Sequence, residues 1–209
     1  MKQIIDKLID AAKKERKKII FLIVLALIGI TMGSIFTTML SQNDKVLAQT
    51  YIKDFITNIN NNKLNYLDSF KSAFMSNVIL ILTIWILGIS IIGIPVNIFI
   101  YFVKTFVIGF SLSAFILTYN VKGCLLGLIY IFPHHIINIA IYILLLMFSL
   151  NFSLKILKSL KSKKQMSLRL TFNRYIVILV FTLIVTLLTT LTEVFATPFI
   201  IKKIIFILK

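Results

Sequence analysis

The sequence predicts an all-α, polytopic integral membrane bundle of about five transmembrane spans plus one half-helix. Three observations carry that expectation. Of the 209 residues, 59% are apolar and only 14% are charged, and the mean hydropathy is +0.98. A soluble fold of this size leaves too much of its surface facing water to hold such a composition. Several apolar runs are long enough to cross a bilayer core of ~30 Å at ~1.5 Å per helical residue. Finally, the 23 Lys and Arg against 7 Asp and Glu are gathered in particular segments instead of spread along the chain. In a membrane chain such an excess sets orientation and draws anionic lipid, so it is no argument for nucleic acid.

Residues 1–18 hold seven cations, with Ile5, Leu8, Ile9 and Ala12 at helical spacing, and read as a basic amphipathic helix. Span one follows over 19–40, where Ile19–Leu40 is free of charge. Its apolar core is too long for a cleaved leader. Residues 41–72 change character. Leu47, Tyr51, Ile52, Phe55, Ile56 and Ile59 form one helical stripe, Asn60-Asn61-Asn62-Lys63 interrupts it, and Leu64, Leu67, Phe70 and Phe74 begin another. This predicts an external amphipathic helical hairpin. Its aromatic stripe (Tyr51, Phe55, Tyr66, Phe70, Phe74) either contacts a partner or lies on the outer leaflet.

Spans two to four occupy 73–155. Gly93-Ile94-Pro95 is the expected break between spans two and three, because proline lacks an amide proton and disfavours helix at the residue before it. Lys104 then falls inside span three, either snorkelling to the inner headgroups or marking a turn nearer to itself. Tyr119–Gly123 is the next turn. The apolar stretch 124–154 is too long for one straight span, and Pro133 divides it. The division predicts a half-helix near 124–132 followed by a full span, with one kinked, tilted helix as the alternative. A basic loop at 156–174 precedes span five and an external tail at 175–209. Segments 2–18 and 155–174, with seven cations each, belong on the cytoplasmic side, which places the N-terminus there.

The ordered set Ile84–Pro95 with Gly88, Gly93 and Pro95, then Lys104, Gly109-Phe110, Lys122-Gly123 and Pro133-His134-His135-Ile136-Ile137 resembles the stage II sporulation protein M family of endospore-forming bacteria. The likeness covers nearly the whole chain. One departure is Thr105, where the family pattern tends to carry Gly, and it puts tight packing there in question. The resemblance implies a multi-pass protein of the cell membrane, at the septal and mother-cell membrane around the forespore. It further implies a non-catalytic scaffold that localises a peptidoglycan-remodelling complex for engulfment. Its partners would be the single-span sporulation proteins D and P, which carry the degrading activity.

The residues offer little for catalysis. Cys124 is alone, so no intramolecular disulfide or thiolate metal site is expected. His134 and His135 are adjacent, and neighbours on a helix point about 100° apart, a poor arrangement for joint ligation. An intramembrane hydrolase would need His134 or Cys124 to converge with a second polar group. We therefore expect no enzyme activity, cofactor, metal, nucleic acid or small-molecule substrate; the expected non-protein partner is anionic inner-leaflet lipid.

Glu193 is the only acid within the spans, on a stripe with Thr182, Thr186, Thr189, Thr190 and Thr197. The stripe is either a proton or ion path or a packing face whose hydroxyls bond to carbonyls and neighbouring helices. Counted from Tyr175, Glu193 lies ~27 Å along the helix, near the outer headgroups. A transporter or permease subunit using that stripe is the rival function, with no acid or amide cluster near midplane in its favour. The pairs Gly29/Gly33 and Gly123/Gly127 permit close helix approach but recur by chance in apolar helices. The candidate contact and structural residues are thus Tyr51, Phe55, Phe70, Gly93, Pro95, Pro133 and Glu193.

Overall fold

A computed structural model describes residues 15–161 and 168–208. The expected amphipathic helix at 1–18 lies almost wholly outside these, as does the middle of the 156–174 loop. The described residues are helical: α1 (Arg16–Met39), α2 (Gln42–Asn60), α3 (Tyr66–Leu87), α4 (Gly93–Lys161), α5 (Leu168–Leu191), a π-helical turn (Thr192–Ala196) and α6 (Thr197–Leu208). Five helical stretches are long and apolar enough to cross a membrane. The protein is an all-α, multi-pass bundle.

α1 buries one stripe, Leu22, Ala26, Gly29, Gly33 and Thr37, against the first arm of α4. Here the weak small-residue signal becomes a backbone-to-backbone contact. A Cβ on Gly33 would overlap the Phe106 carbonyl, and one on Gly109 would overlap the Ile30 carbonyl. Serine bonds cross the same seam, from Ser34 Oγ to Gly109 O at 3.1 Å and from Ser113 Oγ to Ser34 O at 3.3 Å. Thr105 does not disturb it. Its side chain is fully buried where a Cβ of Gly29 would stand, and its hydroxyl bonds the carbonyls of Tyr101 and Phe102.

α2 is the expected amphipathic helix, capped by Ser41. The second half of the expected hairpin is not a separate helix. Asn65 caps α3, which runs on from Tyr66 through span two to Leu87; no breaker lies between Tyr66 and the apolar run. The turn that follows is made by residues 88–92, so Gly93 and Pro95 open α4 instead of forming the break. Proline is tolerated there because a first-turn amide has no acceptor anyway. A Cβ on Gly93 would meet the Leu87 carbonyl. Asn97 and Ser153 tie the turn down: Asn97 Nδ2 donates to Ile84 O (2.9 Å) and Ser149 Oγ (3.0 Å), and Ser153 Oγ donates to Gly88 O (2.5 Å).

α4 reverses at Asn120, which takes φ 52° and ψ −129°. The returning arm lies antiparallel on the first: Gly123 abuts the backbone of Phe115, and Gly127 abuts Leu112 and Phe115. It is helical through Pro133, which is exposed. The expected half-helix is thus the first part of one long helix, the kinked-helix alternative. The basic loop is also shorter than expected, since α4 continues to Lys161 and α5 restarts at Leu168.

Two apolar cores result. One, near the basic end, gathers Leu22, Ile81, Ile84, Tyr101, Leu145 and Tyr175. The other, near α2, gathers Ile56, Ile59, Ile108, Phe115, Ile131 and Ile201.

Candidate functional site

Between those cores lies a polar layer. Along the first arm of α4, Lys104 falls between Tyr101 and Ile108; along the return, His134 and Asn138 fall between Ile131 and Tyr142. A lone polar side chain in an apolar helix must find a partner inside the bundle, because lipid offers none. Here helices α3, α4 and α5 supply partners to one another. Lys104 Nζ donates to Asn77 Oδ1 at 3.3 Å, and Tyr142 OH donates to the same oxygen at 3.1 Å. Thr189 Oγ1 donates to Asn138 Oδ1 at 2.7 Å. His134 Nε2 stands 3.8 Å from Glu193 Oε1, with the imidazole 1% and the carboxylate side chain 18% exposed. Lys104 and Glu193 are within electrostatic range of each other.

This layer bears on three expectations. Lys104 does not mark a turn: the Asn77 amide oxygen receives it inside the bundle, with Glu193 in electrostatic range. Glu193, expected towards the outer headgroups, is turned inward to His134. The cause is local: Pro198 has no amide proton and its ring crowds the carbonyl four residues back, so α5 widens into the π turn that carries Glu193. The backbone N–H of Thr197 reaches back to the Thr192 carbonyl across that turn. Finally, amide and acid groups do cluster in the spans. Asn77 and Asn138 are buried, and so is His134. Asn77 lies in α3, Lys104 in the first arm of α4, His134 and Asn138 in its return and Glu193 after α5, so no single sequence window displays the whole layer; isolated Asn in an apolar run was the available signal.

The threonine stripe is buried at Thr182, Thr186, Thr189, Thr190 and Thr197. Thr182, Thr190 and Thr197 donate to the carbonyls of Leu179, Thr186 and Thr192, and Thr189 also bonds across to α4. These are packing bonds of the kind polar residues make in lipid. Several atoms of the layer bond to nothing among the described residues: both nitrogens of His134, Nδ1 of His135 and Nδ2 of Asn138. A cavity of about 120 Å³ reaches Glu193 from the α2 side, between Phe55, Tyr66, Tyr130 and Pro198. The His134 and His135 ring centroids are 4.3 Å apart, and among the described residues no three His, Cys, Asp or Glu side chains converge as metal ligands.

Above this cavity lies α2. The expected continuous aromatic stripe is divided among several contacts. Phe55 packs edge-on to Tyr130 at 4.9 Å, Tyr66 stacks on Phe195 at 5.6 Å, and Phe70 stacks on Phe74 at 5.6 Å. The stripe breaks because the second set of rings belongs to span two and packs with it. Tyr51 remains 68% exposed, beside exposed Val46 and Leu47. The opposite face of α2 is fastened by Ile56 and Ile59 in the core, by Gln49 Nε2 donating to Leu117 O at 2.9 Å, and by Lys202 Nζ donating to Asn62 Oδ1 at 2.7 Å just past its end.

The family profile described as stage II sporulation protein M matches residues 22–198. That interval runs from α1 to the start of α6 and contains the polar layer, the glycine seam and α2. No curated protein and no solved structure matches the chain.

Proposed function

The chain belongs to the stage II sporulation protein M family, and on that premise we propose that this sporulation-related membrane protein is a non-catalytic scaffold. It holds the septal peptidoglycan-remodelling complex in place during engulfment. The basic end faces the cytoplasm and α2 faces outward, where single-span partners, the sporulation proteins D and P, present their external domains. The observation that carries this reading is α2. It is an extramembrane helix fastened along one face, with Val46, Leu47 and Tyr51 bare on the other. A bare apolar and aromatic patch on a rigidly held helix suits protein contact.

The charge distribution supports the orientation. Lys18, Lys155 and Arg174 line one cavity at the end opposite α2, so the two cation-rich segments meet on a single side. Cation-rich loops stay cytoplasmic.

Site-specific photocrosslinking from Leu47, Tyr51 and Leu67 in sporulating cells tests the scaffold. Capture of a single-span partner from Tyr51 is expected. Capture of lipid alone from all three positions would remove the recruitment mechanism.

One observation favours the rival transport reading, namely the small cavity that reaches Glu193 and the unbonded polar atoms behind it. Against it, the core built on Leu22, Tyr101, Tyr142 and Leu145 stands between that layer and the basic end. Sporulating cells carrying Glu193→Gln separate the two. A scaffold keeps engulfment near its usual extent, while a conducting protein loses it.

A further inference from the structure

The basic end holds a cavity of about 390 Å³ between the start of α1, the end of the returning arm of α4 and the start of α5. This lies within the range of small-molecule sites, roughly 300–1,000 Å³. Its polar lining is Lys18, Lys155, Lys158, Arg174, Asn151 and Thr171, with Glu15 as the single acid. The cations are positioned by neighbours. Lys18 Nζ donates to Asn151 Oδ1 and pairs with Glu15 at 2.8 Å; Lys155 Nζ donates to Thr171 Oγ1 at 3.1 Å. The remaining wall is apolar, with Phe148, Phe152 and Leu154 continuing toward the core.

Like charges on Lys18, Lys155 and Arg174 repel each other around one cavity, and among the described lining residues the one carboxylate, Glu15, pairs with Lys18. A guest with a compact, multiply charged oxygen head offsets that repulsion, and guanidinium and ammonium groups are the donors suited to phosphate oxygens. The apolar wall adds a second requirement, a guest whose other end is greasy. The cavity opens where the charge-free part of the spans gives way to Lys18, Lys155 and Arg174, the level at which headgroup phosphates lie.

We propose that this cavity is a stoichiometric binding site for the phosphate head of an anionic phospholipid, with its glycerol and upper acyl carbons along Phe148, Phe152 and Leu154. This is a different claim from general attraction of a basic loop to a charged leaflet. It is saturable, it belongs to named side chains at one cavity, Lys155 and Arg174 above all, and it holds whether or not the protein is a scaffold.

The test uses the full chain in nanodiscs of phosphatidylcholine with increasing phosphatidylglycerol, read by native mass spectrometry and thermal unfolding. One phosphatidylglycerol retained per chain, with a raised unfolding midpoint, is expected. The double variant Lys155→Gln/Arg174→Gln weakens retention about thirtyfold. Lys202→Gln/Lys203→Gln removes the same charge at the α2 end and leaves retention unchanged. Should the first double variant not fold, Arg174→Gln alone, at an exposed position, weakens retention about fivefold. Equal losses from both ends would overturn the site in favour of bulk charge. The same midpoint rise from inorganic phosphate in phosphatidylcholine alone would overturn the lipid assignment in favour of a soluble anion.

Discussion

The seam between α1 and α4 and the polar layer between α3, α4 and α5 both hold helices together in lipid, by opposite means. The seam relies on shape. Gly33 and Gly109 bring two backbones so close that no side-chain carbon fits between them, and the gain comes from dispersion and serine bonds. The polar layer relies on chemistry, since Lys104, Asn77, Tyr142, His134 and Glu193 have no partners but each other. A bilayer gives helices no hydrophobic reason to associate, so these two devices are the ones open to it. The difference is in how each fails. A seam tolerates no added atom, whereas a polar layer tolerates volume but not the loss of one member.

The largest effect is therefore expected from Gly33→Leu. Its Cβ would overlap the Phe106 carbonyl and crowd the Phe110 nitrogen, both backbone atoms that cannot swing aside. We expect a loss of about 3 kcal/mol, read as an early thermal transition. Trp85 is the only tryptophan and stacks on Tyr175 at 5.4 Å, so its emission follows the core nearest the basic end. If Gly33→Leu unfolds with the parent, the seam is not held by close approach.

Lys104→Met comes next. It conserves volume but leaves Glu193 facing His134 without the nearby cation, at a cost of about 2 kcal/mol. Adding Glu193→Gln should recover part of that loss, and strict additivity of the two would show that the layer is not one unit. Thr189→Val removes a single cross-helix bond, to Asn138. Membrane bonds of this kind are worth about 0.6 kcal/mol on average, and a comparable shift of the midpoint is expected. Tyr51→Ala sits outside both regions. Stability should move by less than about 0.5 kcal/mol while photocrosslinking from Leu47 to a single-span partner falls; unchanged capture would exclude Tyr51 from the contact.

Much of the fold was legible because it rests on local signals. Charge-free runs mark spans, and Asn120 with Gly123 marks a reversal through a backbone conformation that asparagine tolerates. Thr105 could not be judged from its own neighbourhood. What makes room for it is Gly29, in another helix. The same distance hid the polar layer. Asn77 looks like a flaw in span two and Lys104 like a flaw in span three, until the fold shows that each answers the other. Pro198 carried a readable hint, since a proline shortly after an acid in a span announces a local change of pitch. Pro133 misled in the other direction, because an exposed proline can bend a helix without ending it.

The two fastenings of α2 have a mechanical consequence. Gln49 ties its early turns to the reversal of α4, and Lys202 ties the chain just past its end to α6. A pull applied at Tyr51 falls between the two ties, so they share the load. Force arriving there is passed to two distant parts of the chain at once.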